Sequence, residues 1–138
     1  MQTFLPYADY SASAKTLDRQ RLGKQRVEVL QLLNALTNPA AGWKNHPATK
    51  MWRGHEGALI AYGIAVCDEW ISRGYKDTCR AKIAAFARPD ANETPPSWLG
   101  NRAFHSSHKA NLLRKSPEWY GQFGWSENPE TPYVWPVP

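Results

Sequence analysis

Apolar residues recur at helical spacing in several stretches of this chain, separated by Pro- and Gly-rich joints. The first stretch runs from about Ser13 to Leu36. Leu22, Val29, Leu30, Leu33 and Leu36 mark its apolar side, and Asn38-Pro39 stops it. The second runs from about Ala48 to Arg73, with Pro47 ahead of it and Gly74 behind. Its stripe reads Met51, Trp52, Leu59, Tyr62, Val66, Trp70. A shorter helix is expected over about Thr78 to Ala87, ending before Pro89, and another over Arg102 to Lys115, ending before Ser116-Pro117. Between those two, residues 89–97 have the polar, Pro-containing composition of a surface loop. No segment alternates over five residues as a strand would, and no internal repeat is visible. The pattern predicts an all-α chain, a compact bundle of three to four helices forming one domain over residues 1–138.

The tail, PEWYGQFGWSENPETPYVWPVP, breaks that pattern. It carries three Trp, two Tyr, one Phe and five Pro, so helix is excluded over most of it. Rings in that number do not hang in water, and an extended segment packed back over the helices is expected.

Composition narrows the class. At 42% apolar and 21% charged residues the chain is globular, and 138 residues suffice for one core without staples. Seventeen Lys and Arg against twelve Asp and Glu leave a net charge of +5, a moderate bias toward polyanions. No apolar run approaches the ~20 residues of a membrane span, and the first ten residues lack the features of a secretory signal. Cys67 and Cys79 are too few for a disulfide scaffold and lie in no CxxC pair, which fits the reduced thiols of a cytoplasmic protein. The common nucleotide-loop, zinc-protease and hydrolase motifs are missing.

Candidate chemistry concentrates on the first helix, at LDRQRLGKQRVEVLQLL. Arg21, Lys24 and Glu28 fall at i, i+3 and i+7, within a sector of about 60° beside the apolar face. Arg19 and Arg26 point elsewhere, Arg26 close to the apolar side. A solvated Lys24–Glu28 ion pair, contributing a few tenths of a kcal/mol, would use the same residues. Against that reading, Gly23 sits mid-helix at a cost of about 1 kcal/mol relative to Ala, a sign of close approach to the backbone. A second cluster, His46, Lys50, Trp52, Arg53 and His55, gathers phosphate-binding side chains around the start of the second helix. A third places Arg102, His105, His108 and Lys109 with hydroxyls and Phe104 on the last helix, a mixture that suits phosphate contacts and equally a plain solvated face. His105 and His108 are spaced as metal ligands, but neighbouring carboxylate or Cys ligands at metal spacing are missing, so no metal site is expected.

Taken in order, these residues resemble the small phage-type pyrimidine-dimer DNA glycosylases, the endonuclease V kind that also nicks at the abasic site. The likeness rests on LDRQRL with Glu28 six residues beyond Leu22, on Gly54-His55 opening a long helix, on Cys67 through Arg73-Gly74-Tyr75 and Lys76-Asp77-Thr78, and on Pro117 to Gly124. The resemblance implies a compact helical enzyme that needs no cofactor, acts as a monomer on duplex DNA with a lesion or modified base, and turns a nucleotide out of the stack. It implies that Glu28 is the key carboxylate, stabilising positive charge at the sugar as the base leaves. Arg21, Lys24 and Arg26, with Arg19, would hold the strained backbone. His46, Lys50, Arg53, His55, His105 and Lys109 would add phosphate or base contacts, and Trp52 or a tail ring would fill the gap. The cytoplasm of a bacterial or phage-infected cell, close to the nucleoid, is the expected location.

One departure bears on mechanism. The family nucleophile is an N-terminal α-amine exposed by removal of Met before a small residue, whereas residue 2 here is Gln, and about five extra residues precede the matched helix. Three routes stay open at this level: the amine of Met1, the amine of Lys24, or water without a protein amine. A non-catalytic module that binds or bends DNA on the same fold is the alternative function, and an ordinary structural helix bundle is the third.

Overall fold

The computed structural model describes residues 2–38, 40–88 and 94–136. Its helices are α1 (Tyr10–Thr16), α2 (Arg19–Thr37), α3 (Pro47–Trp52), α4 (Glu56–Ser72), α5 (Arg80–Ala84), α6 (Arg102–Lys115) and α7 (Pro117–Tyr120), and a 3-10 turn at Gly121–Phe123 follows. No strand occurs among the described residues, as the pattern predicts. Part of the expected loop, residues 89–93, lies outside the described residues. No described helix is long and apolar enough to cross a membrane.

Both long helices expected from periodicity are broken once, each for a local reason. The first breaks at Leu17-Asp18, which are extended with ψ of 136° and 163°. Leu17 turns fully into the core there. Asp18 flanks α2 without capping it, because its carboxylate takes the Tyr120 hydroxyl and Arg21 Nη1 (3.2 Å) instead. The second breaks at Gly54, whose φ of +84° no L side chain adopts cheaply. His46 caps α3 by accepting the Ala48 N–H on Nδ1 at 3.0 Å, and Pro47 occupies the first turn as expected. Periodicity alone misses both breaks, since the apolar stripe continues across them.

The core forms where α2 and α1 pack on α4. Leu22, Val29, Leu32 and Leu33 of α2 and Leu59, Tyr62 and Val66 of α4 are all fully buried. Leu30 and Leu36, placed on the expected stripe, are half-buried, while Leu32, not singled out, is inside. Two glycines set the approach of the helices. A Cβ at Gly63 would lie 2.6 Å from Val29 Cγ1, and one at Gly23 would lie 3.0 Å from the Trp70 ring. What approaches Gly23 is therefore a side chain of the fold.

Aromatic rings bind the layers together. Trp52 is fully buried, stacked on Tyr62 (6.1 Å between centroids) and edge-on to Trp98 (5.0 Å). It has no face to offer a nucleotide, so the expectation that it fills a gap in DNA is corrected: it is core. The tail packs over the helices as expected. Tyr120 stacks on Trp125, Trp125 Nε1 donates to the Tyr7 hydroxyl (2.8 Å), and Tyr133 lies against His108 (4.5 Å).

Candidate active site

The site is built by the chain's first residues, which thread between α2, α4 and α6. Gln25, 1% exposed, is a polar position between Leu22 and Val29 on the buried side of α2. Its Oε1 accepts the Phe4 N–H (2.8 Å) and the Tyr62 hydroxyl (2.7 Å), and its Nε2 donates to Gln2 O (2.8 Å). One carboxamide thus satisfies the backbone on both sides of Thr3, as a neighbouring strand would. From the other side His108 Nδ1 accepts the Leu5 N–H (2.8 Å), while His105 Nδ1 donates to Leu5 O (2.7 Å). The donor role of His105 follows from its Nε2, which accepts the Gly100 N–H. Trp52 Nε1 donates to Thr3 Oγ1 at 3.2 Å.

That anchoring delivers Gln2 to Glu28. The Gln2 backbone N–H donates to Glu28 Oε2 at 2.9 Å, and the Glu28 side chain is only 10% exposed. Lys24 Nζ stands 3.8 Å from Glu28 Oε1 on a side chain 77% exposed, a loose contact that leaves the ammonium in solvent. A cavity of about 340 Å³ opens beside the carboxylate, lined by Gln2, Phe4, Gln20, Arg21, Lys24, Glu28 and Lys115. A second cleft of about 190 Å³, lined by Lys24, Glu28, Gln31 and Trp43, also includes Glu28 in its wall. The larger cavity sets three cations against one carboxylate, which suits a polyanion around a single acidic group.

The expected residues separate into those at this cavity and those elsewhere. Glu28, Lys24 and Arg21 come together. Arg21 is oriented by Asp18. Burial works against the Asp18 carboxylate, but hydrogen bonds from Tyr120 and Arg21 outweigh it and hold it below its ordinary range. Arg26 does not join them. Its Nη1 meets Asp77 Oδ1 at 2.5 Å, its guanidinium lies 4.3 Å from the Trp70 ring centroid, and its side chain is 14% exposed. The expected backbone-holding role is thereby corrected, because the charge is spent inside the protein. Arg19 is exposed on α2 over Tyr75, 5.5 Å from the ring centroid.

His46, half-buried, is wedged edge-on between Trp43 (5.6 Å) and Trp135 (6.0 Å) beside the second cleft. Burial lowers its pKa, opposed by the Glu28 charge. Lys50 and Arg53 are exposed, Arg53 Nη2 donating to Lys44 O at 2.6 Å. His55 Nδ1 contacts Thr94 O at 3.2 Å. Lys109 lies over the Tyr7 ring at 4.8 Å. His105, expected to touch DNA, is 8% exposed and already committed to Leu5 and Gly100, so that expectation is corrected as well. Met1 lies outside the described residues. Gln25 and Trp43 were not anticipated, whereas Tyr62 was expected as core and His108 on the basic last helix, neither of them as an anchor of the first residues. A lone amide on the apolar stripe, between Leu22 and Val29, is the signal that could have exposed Gln25.

A family model described as pyrimidine dimer DNA glycosylase matches residues 1–83, which span the threaded N-terminal segment, α2 and α4. The chain belongs to that family, which makes DNA its substrate and DNA repair its setting. No curated protein and no solved structure matches it.

Proposed function

We propose that this protein excises a pyrimidine dimer from duplex DNA and then cleaves the abasic strand, using the α-amine at the start of the chain as nucleophile and Glu28 as the carboxylate. The observation that carries the reading is the 2.9 Å hydrogen bond from Gln2 N to Glu28 Oε2, which brings the beginning of the chain to the buried carboxylate at the cavity wall. The amine is that of Met1, or of Gln2 where Met1 is removed. An α-amine with an ordinary pKa near 8 is a competent nucleophile at neutral pH.

In this reading the amine nitrogen attacks C1′ and the glycosidic bond breaks, the base leaving with its electron pair. Glu28 stabilises the positive charge that grows on the sugar. It then accepts a proton from the substituted amine and returns it to O4′ as the ring opens to an imine. Loss of a C2′ proton expels the 3′ phosphate, and water releases the product. Arg21, Lys24 and Lys115 hold phosphates around the cavity, and the enzyme acts as a monomer that turns a nucleotide out of the stack.

Ultraviolet-irradiated duplex incubated with the protein and borohydride tests this directly. A covalent protein–DNA adduct is expected, and Glu28→Gln should abolish both adduct and strand scission. Scission without an adduct would replace the amine with water, and intact cleavage by Glu28→Gln would remove Glu28 from the mechanism. Equal binding of irradiated and native duplex with no cutting would leave a DNA-binding module. Peptide mapping of the trapped adduct identifies the amine that attacked, and an adduct on Lys24 would refute the α-amine reading.

A further inference from the structure

We infer that Gln25 is a positioning residue for this reaction: its side-chain carboxamide sets the register of the first residues so that the chain's amine meets Glu28. The inference rests on the amine reading above and adds to it the group that places the amine.

Gln25 and Glu28 are three residues apart on α2, so their side chains project from adjacent turns of one helical face. Gln25 grips Gln2 O and Phe4 N, while Glu28 takes Gln2 N, so three consecutive backbone contacts of the leading segment are read by two side chains of one helix. The donor and acceptor ends of the amide are both needed. Gln2 O requires a donor and Phe4 N an acceptor, a pairing that an ionised carboxylate or a methionine at this position cannot reproduce. The amide cannot turn over either, because its nitrogen would then meet the Phe4 N–H and its oxygen the Gln2 carbonyl. An extended segment has a side-chain period of two, so a slip by one residue would carry Gln2 N about 3.3 Å away from the carboxylate. The other anchors act further on: Trp52 Nε1 and the Tyr133 hydroxyl hold Thr3, the Tyr62 hydroxyl holds Phe4, and His105 and His108 hold Leu5, so none of these bonds reaches the Gln2 backbone. Gln25 therefore fixes Gln2 O while Glu28 takes Gln2 N, and through Gln2 it aims the amine.

The test uses the full-length protein, a duplex with a preformed abasic site, and two variants. Gln25→Met keeps the volume and removes every hydrogen bond, whereas Gln25→Glu keeps the contacts to Phe4 and Tyr62 and sets an oxygen against Gln2 O. Single-turnover borohydride trapping at saturating protein is expected to fall at least tenfold in Gln25→Met at every pH, with the Kd for the duplex within threefold of wild type. Protonated Gln25→Glu donates to Gln2 O as the amide does, so its trapping should match wild type in acid and fall at least tenfold below it once the buried carboxyl ionises. Loss of packing or stability alone would give no such rescue in acid. Trapping within twofold of wild type in Gln25→Met, or Gln25→Glu reduced tenfold even at pH 5.5, overturns the inference while leaving the amine mechanism standing. Absence of any adduct with wild-type protein overturns both. Should the variants not fold, exchange of the Gln25 side-chain amide protons in the wild-type protein decides. Slow exchange supports the clamp, and exchange at the rate of a free carboxamide refutes it.

Discussion

Acidification should loosen this fold well before any carboxylate is protonated, and His108 is the reason. Its ring is fully buried, its Nδ1 accepts the Leu5 N–H, and its Nε2 has no partner. Protonation would turn the acceptor into a donor facing another donor and place a charge among Phe104, Tyr133 and Leu5. Burial, reinforced by the nearby His105, accordingly pushes the His108 pKa well below its ordinary 6.5. The folded chain then binds fewer protons than the unfolded chain as pH falls through 6.5, so stability rises with pH in that window and is lost on the way down. One imidazole neutral when folded and ordinary when unfolded removes about 1.4 kcal/mol between pH 7.5 and 5.5. With an urea m-value of about 2 kcal/mol per molar, the unfolding midpoint should move by roughly 0.7 M. His105 acts in the same direction, its pKa lowered by burial against an opposing bond to Leu5. Asp18 and Asp77 do not contribute here, because their carboxyls are held below 3.8 and titrate only in stronger acid. Urea unfolding at pH 7.5, 6.5 and 5.5 measures the slope. His108→Gln, which keeps an acceptor for Leu5, should flatten it by one proton. A His108 ring that titrates at 6.5 or above in the folded protein by NMR would refute the argument.

Other consequences follow from packing and charge. Gly63→Ala gains about 1 kcal/mol in helix propensity but forces a Cβ to 2.6 Å from Val29 Cγ1, and overpacking costs of up to about 3 kcal/mol should win, lowering Tm by several degrees in a thermal melt. Arg26→Ala leaves the Asp77 carboxylate with only the Cys79 and Arg80 N–H groups and should cost about 1.5–3 kcal/mol in urea unfolding, with duplex affinity changed less than threefold wherever the variant is folded. Lys115→Ala, at the cavity but outside the core, should leave the melt unchanged, weaken duplex binding and reduce the salt slope of log K by about one.

What the sequence determined by itself is what local chemistry and periodicity carry. Helix content, the Pro-first start at Pro47 and the stop at Gly74 follow from the chain's own short-range preferences. So does the shared stripe of Arg21, Lys24 and Glu28, because residues three and four apart lie on one helical face whatever surrounds them. The breaks at Leu17-Asp18 and Gly54 are not local in this sense: Asp18 leaves its capping role because Tyr120, a hundred residues on, takes its carboxylate.

The fates of the cations were likewise decided only in three dimensions. Arg21 and Arg26 read alike in the sequence, yet one faces the cavity and the other is claimed by Asp77 and Trp70. Trp52 and His105 have the composition of binding residues and were taken into the core by partners far along the chain. The meeting of Gln2 with Glu28 depends on Gln25, Tyr62, His105 and His108, drawn from three helices. Hydrogen bonds act over about 3 Å, and proximity at that scale between residues 23 to 103 apart is set by packing, which no one-dimensional pattern records.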